Sequence, residues 1–282
     1  MSNGVPVYWV DAFTDRPFAG NPAAVCLFNR PPPDRLLQAI AREMNLSETA
    51  YPILRAPARD GSATYTLRWF TPTLEIDLCG HATLASAWIL FDELRVPATT
   101  LRFETQSGPL YARRGPGGIA LDLPREDAIA SRAPDALIRA LGIGAPISVW
   151  QGPVSGKLLI ELGSVEEVRE LRPNYPALLA SVPRTEVRAV IVTAPGSPPY
   201  DFVSRFFAPW SGVDEDPVTG SSHTLLAPFW GAKLGTHRMR AQQVSPRGGE
   251  MSVELLPTGR VLLEGTARVI ARGRLDPGAL GA

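Results

Sequence analysis

Short apolar runs, most of them bounded by proline, glycine or asparagine, dominate the hydrophobic pattern of this chain. Residues 5–12 are almost wholly apolar and rich in β-forming residues, which predicts a buried strand. Residues 64–70 alternate, with Tyr65, Leu67 and Trp69 on one face, and predict a second type of strand. Further strand candidates are residues 23–28, 157–162, 187–193, 202–207, 251–256, 261–264 and 267–272, and strands and turns together dominate residues 101–123.

Helical spacing is found between these runs. Apolar residues recur every three to four positions in residues 34–44, with Asp34 as the expected N-cap and Asn45 as the expected C-terminal cap. Residues 82–94 and 222–230 are apolar helices, and the first has no polar stripe, so we expect protein all around it. Strands and helices do not alternate strictly, which argues against a doubly wound sheet.

One pattern occurs twice. Residues 68–88 read RWFTPTLEIDLCGHATLASAW, and residues 205–230 read RFFAPWSGVDEDPVTGSSHTLLAPFW. Both begin with arginine, two aromatic residues, threonine or alanine, and proline, then pass acidic residues and a glycine into an apolar helix. The second copy is three residues longer before its glycine, and about half the chain separates the copies. Coincidence is the alternative, but the shared start favours two related domains, each a sheet around a central helix.

The two repeated helix starts suggest an anion-binding site. A helix N-terminus exposes unpaired N–H groups and carries partial positive charge. Glycine at that point, here Gly80 and Gly220, lets a ligand approach the backbone closely. Two such ends facing one cleft between the domains would hold an anion, so Gly80-His81 and Gly220-Ser221 are the predicted substrate-binding pairs for a carboxylate.

Composition narrows the possible functions. The 28 Lys+Arg balance 28 Asp+Glu, which argues against a nucleic-acid partner. The two cysteines form no CxxC pair, and residues 1–13 lack a signal-peptide pattern, so we expect a cytoplasmic protein. The longest apolar stretch, residues 82–91, is shorter than the roughly 20 residues of a membrane helix. There is no nucleotide-binding glycine motif, and the three histidines are too scattered to predict a metal site.

Four blocks carry a family resemblance: residues 11–25 (DAFTDRPFAGNPAAV), 45–50 (NLSETA), 70–85 (FTPTLEIDLCGHATLA) and 206–223 (FFAPWSGVDEDPVTGSSH). In this order the blocks resemble the PhzF-like, phenazine-biosynthesis isomerase family. The resemblance implies the diaminopimelate-epimerase fold, an α+β fold of two pseudo-symmetric domains. Each domain would be a curved, mostly antiparallel sheet wrapped around a central helix.

The domains expected on this basis are residues 1–126, with central helix 81–94, and residues 127–282, with central helix 221–231. The last strand is a candidate to return to the first domain. The resemblance also implies a homodimer and a cofactor-free isomerase of trans-2,3-dihydro-3-hydroxyanthranilate that acts by a proton shift.

The family's acid/base glutamate maps to Glu48, and its supporting histidine maps to His81. No Lys or Arg lies in residues 45–53, so a raised pKa is predicted for Glu48, with a solvated loop glutamate as the alternative. His81, in the first turn of a helix, is expected to be neutral and to orient substrate, unless it only caps the helix.

The family's DPVTGS block implies Asp216 and Ser221 as further site residues. Asp216 precedes Pro217, which favours an extended backbone and a carboxylate directed at a substrate amine or hydroxyl. A favourable charge at a helix start is the alternative for Asp216, and an ordinary N-cap is the alternative for Ser221. Asn21, in Gly-Asn-Pro, is a candidate substrate contact or simply a turn residue.

Cys79 separates the alternatives. Related epimerases and racemases of this fold use two cysteines, one at each helix start. Residues 218–221 contain no cysteine, so a two-base reaction through Cys79 lacks its partner. The predicted function is therefore a cofactor-independent isomerase of a small amino or hydroxy carboxylate, using Glu48. An epimerase using Cys79 and a non-catalytic metabolite-binding relative are the alternatives.

Overall fold

A computed structural model describes residues 4–276 and residue 278. Residues 1–3, 277 and 279–282, which belong to the predicted domain ranges, lie outside the described residues. The chain divides into two compact units, one of residues 1–123 with 263–282 and the other of residues 124–262. Both contain strands and helices, which confirms the α+β class. Among the described helices, none has both the length and the apolar character needed to cross a membrane.

The strands are numbered along the chain. They are β1 (Val5–Ala12), β2 (Asn21–Cys26), β3 (Glu48–Arg59), β4 (Ser62–Phe70), β5 (Glu75–Ile76), β6 (Thr100–Thr105), β7 (Gly108–Gly115), β8 (Gly118–Pro124), β9 (Ile129–Ala130), β10 (Ser148–Gln151), β11 (Lys157–Glu161), β12 (Ala189–Pro195), β13 (Phe202–Ala208), β14 (Val213–Asp216), β15 (Arg238–Gln243), β16 (Gly249–Leu255), β17 (Arg260–Gly265) and β18 (Ala267–Leu275). The helices are α1 (Asp34–Met44), α2 (Gly80–Trp88), α3 (Asp135–Leu141), α4 (Val165–Glu170), α5 (Tyr175–Ser181) and α6 (His223–Leu234).

The first unit is a mixed, mostly antiparallel sheet. Antiparallel pairs join β1 to β2 and β18, β3 to β4, β4 to β5, β6 to β7 and β7 to β8. Two pairs are parallel, β2 with β3 and β4 with β6, and the connections between their strands carry α1 and α2. Parallel neighbours need such crossovers because a hairpin cannot join them.

The second unit repeats this order within itself. Antiparallel pairs join β9 to β10, β10 to β11, β12 to β13, β13 to β14 and β15 to β16. The parallel pairs are β11 with β12, connected through α4 and α5, and β13 with β15, connected through α6. β10 to β16 therefore reproduce the pairing of β1 to β7, which supports two related domains over coincidence.

The first arginine of each copy of the repeat makes the same pair of hydrogen bonds in both units. Arg68 Nε and Nη2 donate to the two carboxylate oxygens of Glu75 at 2.7 Å each, tying β4 to β5. Arg205 does the same with Glu215, at 2.7 and 2.8 Å, and ties β13 to β14. Two parallel charge-assisted hydrogen bonds fix direction as well as distance, so each pair orients the loop leading to the buried helix.

α2 confirms the prediction of a helix enclosed by protein. Every residue in 80–87 is buried, and the helix packs against β1, β2, β3, β7 and β18. Its two hydroxyl residues are satisfied internally, because Thr83 donates to Cys79 O at 2.5 Å and Ser86 donates to Ala82 O at 2.7 Å. A π-helical turn, Ile89–Glu93, continues the helix to one residue before the end of the predicted range.

α6 is the buried helix of the second unit. Residues 223–231 are buried, and Trp230 Nε1 donates to Thr193 Oγ1 on β12 at 2.9 Å. A 3-10 turn, Gly220–Ser222, precedes the α-helix, so regular helix begins two residues later than the predicted range 221–231.

One predicted cap of α1 is wrong and the other is confirmed. The N-cap is Pro33, and the carboxylate of Asp34 instead reaches Arg68 Nη1 at 2.6 Å. At the other end Asn45 adopts the left-handed conformation, with φ of 50°, and closes the helix. The chain then enters β3 at Glu48, which sets the position of the candidate acid/base group.

Candidate active site

Three predicted site residues of the first unit come together around one imidazole. Asn21 begins β2, Glu48 begins β3, and His81 is the second residue of α2. β2 and β3 are parallel, with Ala23 opposite Glu48, and α2 packs on both strands. His81 Nε2 lies 3.0 Å from Glu48 Oε2, and His81 Nδ1 lies 3.0 Å from Asn21 Nδ2. The sequence blocks that carry Glu48 and His81 thus form one buried polar cluster.

The contact between Glu48 and His81 is close and poorly hydrated. Their side chains are 13% and 4% exposed. The two atoms are near enough for strong charge attraction but are not aligned as a hydrogen bond. The Asn21 amide contacts the opposite ring nitrogen, and which amide atom faces it depends on the charge of the ring.

His81 favours its charged form, so the prediction of a neutral imidazole is wrong. Burial alone would lower the pKa of His81, but the contacts with Cys79 and Glu48 outweigh burial and hold that pKa well above its ordinary value. The prediction considered only the positive end of α2. A carboxylate at 3.0 Å acts more strongly on the ring than the partial charge of a helix end.

Cys79 lies at the same cluster but is poorly suited to act as a base. It is the N-cap of α2, is buried, and places Sγ 3.5 Å from His81 Nδ1. Burial raises the pKa of the thiol to about 11, so it stays protonated at neutral pH. The matching N-cap in the second unit is Thr219, before the turn that leads into α6. The second thiol of a two-cysteine mechanism is absent at this position.

The same cluster offers one possible set of metal ligands. Among the described residues, Glu48, Cys79 and His81 each present a ligand atom, all within 4.8 Å of one another. Three protein ligands is a number that catalytic zinc sites use. Metal binding needs a thiolate and a neutral imidazole, whereas the pKa values of both groups are raised, so protons compete with the metal. That no metal binds here stays a prediction.

In the second unit, Asp216 sits in a hydrogen-bonded loop. It ends β14 in extended backbone, as the following proline predicts, and its carboxylate accepts from the hydroxyl of Thr219. Gln243 braces the loop, since Nε2 donates to Asp216 O at 2.6 Å and Oε1 accepts from Thr219 N at 2.8 Å. These bonds hold Asp216 next to the start of the Gly220–Ser222 turn.

Ser221 lies inside the 3-10 turn and is not its N-cap, a position that Thr219 occupies. Its carbonyl and its hydroxyl oxygen both accept hydrogen bonds from Lys157 Nζ, each at 3.1 Å. Lys157 was not among the predicted site residues. One signal could have found it: Lys157 and Lys233 are the only lysines in a chain with 28 Lys+Arg. That Gly80 and Gly220 hold one substrate stays a prediction.

The chain contains two copies of a mixed sheet around a buried helix, and a carboxyl–imidazole pair lies at the start of the first helix. These features define an α+β protein with an epimerase-type fold. A family model described as phenazine biosynthesis-like protein matches residues 10–273, and the chain belongs to this PhzC-PhzF family.

Relatives match over nearly their whole length. A mouse phenazine biosynthesis-like domain-containing protein 2 is 44% identical, over 96% of this chain and 99% of its own. An uncharacterised isomerase of Pseudomonas aeruginosa is 44% identical over 95% of this chain and 98% of its own length. The crystal structure of a PhzF-family protein from Enterococcus faecalis matches with a TM-score of 0.87 at 40% identity. The match covers 97% of this chain and 99% of the other. A hydroxyproline epimerase from Agrobacterium vitis shares the fold, with a TM-score of 0.58 at 12% identity, and this similarity concerns the fold alone.

Proposed function

We propose that this protein is an isomerase of small amino or hydroxy carboxylates, and that it shifts a proton within its substrate without a cofactor. The observation that carries the proposal is the 3.0 Å contact between Glu48 Oε2 and His81 Nε2 at the start of a buried helix. A carboxyl group in such a poorly hydrated place can both accept and return a proton.

The proposed reaction uses Glu48 twice. Its carboxylate takes a proton from a substrate carbon, and the electron pair of that C–H bond moves into the neighbouring double-bond system. The resulting carboxylic acid returns the proton to a second carbon, so substrate and product have the same atoms and no oxidation occurs. His81, held in its charged form, would stabilise the negative charge that develops in the transition state.

The other predicted residues would hold the substrate. The backbone N–H of Gly80 in the first unit suits a carboxylate, and so do those of Gly220 and Ser221 in the second unit, because the first N–H groups of a helical turn lack partners within it. Asp216 would accept from an amine or a hydroxyl of the substrate, and Asn21 would orient the ring of His81.

The relatives guide the choice of substrate. The Pseudomonas aeruginosa relative is named an isomerase, whereas the mouse relative is named only for its phenazine biosynthesis-like domain. The resemblance of the sequence blocks to the phenazine-biosynthesis isomerases gives trans-2,3-dihydro-3-hydroxyanthranilate as the first compound to test, and other small amino or hydroxy carboxylates follow it. A cytoplasmic homodimer belongs to the same proposal.

An epimerase that uses Cys79 is the second candidate, favoured by the 3.5 Å approach of its sulfur to His81 Nδ1. It ranks lower because burial keeps the thiol protonated and because Thr219 replaces the second cysteine. A relative that binds a metabolite without turnover is the third.

The test is turnover of the compound panel, followed by NMR, for the wild type, Glu48→Gln and Glu43→Gln. Glu43 is an exposed glutamate on α1 and serves as the matched control. We expect Glu48→Gln to lose at least about 100-fold in rate and Glu43→Gln to lose none. Full turnover by Glu48→Gln would refute the mechanism, and wild-type binding without turnover would indicate a metabolite-binding protein.

A further inference from the structure

Lys157 is a lysine whose charged end is enclosed but not neutralised. The residue begins β11 and keeps some exposed surface, yet its ammonium group lies among protein atoms. Its hydrogen bonds go to two uncharged acceptors, Ser221 O and Ser221 Oγ, at 3.1 Å each. No carboxylate within the described residues forms an ion pair with it. The other lysine, Lys233, contacts both carboxylate oxygens of Glu161, at 2.5 and 2.6 Å.

The neighbouring carboxylates are engaged elsewhere. Glu126 Oε1 accepts from the backbone N–H groups of Val154 and Ser155, at 2.8 Å each. Asp216 accepts from the Thr219 hydroxyl. Burial therefore dominates and lowers the pKa of Lys157 to about 8, even though the charges of Glu126 and Asp216 pull the other way. An enclosed cation whose hydrogen bonds go only to uncharged acceptors costs stability unless an anion joins it.

The Lys157 ammonium and the Ser221 hydroxyl each keep one hydrogen-bond donor, and the Phe206 ring, whose centroid lies 5.9 Å from Lys157 Nζ, is a further contact of the ammonium. An ammonium group has three donors, and Lys157 spends two of them on Ser221. The Ser221 oxygen accepts from Lys157, so its own proton is left to donate. A carboxylate has two oxygens that accept, and donation from a charged group makes such bonds short and strong.

We propose that Lys157 and the hydroxyl of Ser221 together bind a carboxylate group of the ligand. The proposal rests on the proposed function only in taking the ligand to be a small carboxylate. Lys157 supplies the charge, and Ser221 is held as a donor by the bond that it accepts from Lys157. Binding then neutralises a cation that the second unit leaves unpaired.

The experiment measures binding of 2-aminobenzoate by calorimetry, with aniline as the matched compound that lacks the carboxylate. The variants are Lys157→Met, Lys157→Arg and Arg188→Met. Arg188 is an exposed arginine whose backbone N–H bonds to Gly156, so its replacement removes a nearby charge outside the proposed contact. We expect affinity for 2-aminobenzoate to fall at least about tenfold in Lys157→Met. Lys157→Arg retains more affinity, and Arg188→Met matches the wild type.

The pH dependence separates binding from a structural role. Glu126, Asp216 and His223 are the titratable groups that face the ammonium, and burial lowers the pKa of His223 to about 4. His223 therefore stays neutral between about pH 7 and 9. Wild-type affinity should therefore fall as pH rises past about 8, whereas the affinity of Lys157→Met stays flat. Unfolding experiments should find Lys157→Met at least as stable as the wild type, because an uncompensated charge is gone.

Equal affinity of the wild type and Lys157→Met, including no binding by either, overturns the proposal. Equal losses in Lys157→Met and Arg188→Met overturn it as well, since the effect would then be general electrostatics. If Lys157→Met does not fold, a wild-type affinity that does not change with pH overturns the proposal in its place. The experiment measures binding rather than turnover, so a failed isomerase assay leaves its result standing.

Discussion

Replacing Glu48 with glutamine should lower the pKa of His81. The change removes a negative charge 3.0 Å from His81 Nε2 and leaves a side chain of similar size. Two unit charges at this separation attract by about 5 kcal/mol at an effective dielectric constant of about 20. Each unit of pKa corresponds to about 1.4 kcal/mol, so losing this contact should lower the pKa of His81 substantially. Cys79 also raises the pKa of His81, but its charge contributes only when the thiol is ionised.

Cys79 would not substitute for the lost charge. Its thiol has a pKa of about 11 and is neutral near pH 7. Without Glu48, burial and the positive end of α2 act on His81 in the same direction. We therefore expect the pKa of His81 to move from well above about 6.5 in the wild type to below that value in Glu48→Gln.

NMR of 15N-labelled imidazoles measures this directly, because the chain has only three histidines. His223, whose pKa burial lowers to about 4, should stay neutral throughout and provides an internal reference. Glu43→Gln is the control variant. A His81 that titrates below about 6.5 in the wild type, or at the same pH in Glu48→Gln, would refute this account of the cluster.

The same pair links stability to pH. A raised pKa in the folded state adds stability that is fully present below the unfolded value of about 6.5. This stability is lost as pH rises through the folded-state pKa of His81. The difference in unfolding free energy between the wild type and Glu48→Gln should therefore be largest at mildly acidic pH and should shrink at alkaline pH.

Two further predictions concern other residues. Arg205→Met breaks a pair whose side chains are 6% and 11% exposed, and should cost about 3–5 kcal/mol in urea unfolding. Arg240→Met breaks a more exposed pair and should cost at most about 1 kcal/mol, so equal losses would contradict the role given to the repeat arginine. Cys79→Ser should keep turnover within about tenfold of the wild type, and a loss as large as that of Glu48→Gln would favour the two-base alternative.

The parts of the fold that were predictable depend on local pattern. Residues 82–94 have no polar stripe in the sequence, and the helix that begins at Gly80 is buried throughout residues 80–87. The repeated arginine marked two copies of one unit, and Arg68 and Arg205 make the same bidentate contact in each. The crossovers were not predicted, because parallel pairing of β2 with β3, or of β11 with β12, joins segments that carry no pairing signal in their own residues.

The site shows the same division. The resemblance located Glu48 and His81, and the structure places them in contact, but the charge of His81 depends on a carboxylate far away along the chain. A prediction from the helix start alone therefore gave the wrong direction for the pKa shift of His81. Lys157 escaped notice for the same reason, because its proximity to Ser221 arises only when β11 and the turn before α6 are packed in one unit.

The central claim is that one carboxyl group both removes and returns the proton. It is tested most directly with a panel substrate deuterated at the carbon that loses hydrogen, in a single turnover in ordinary water. Because the Glu48 side chain is only 13% exposed, exchange with solvent should be incomplete, and part of the deuterium should appear at the new carbon of the product. Product that carries only solvent hydrogen there would contradict a single-carboxyl mechanism.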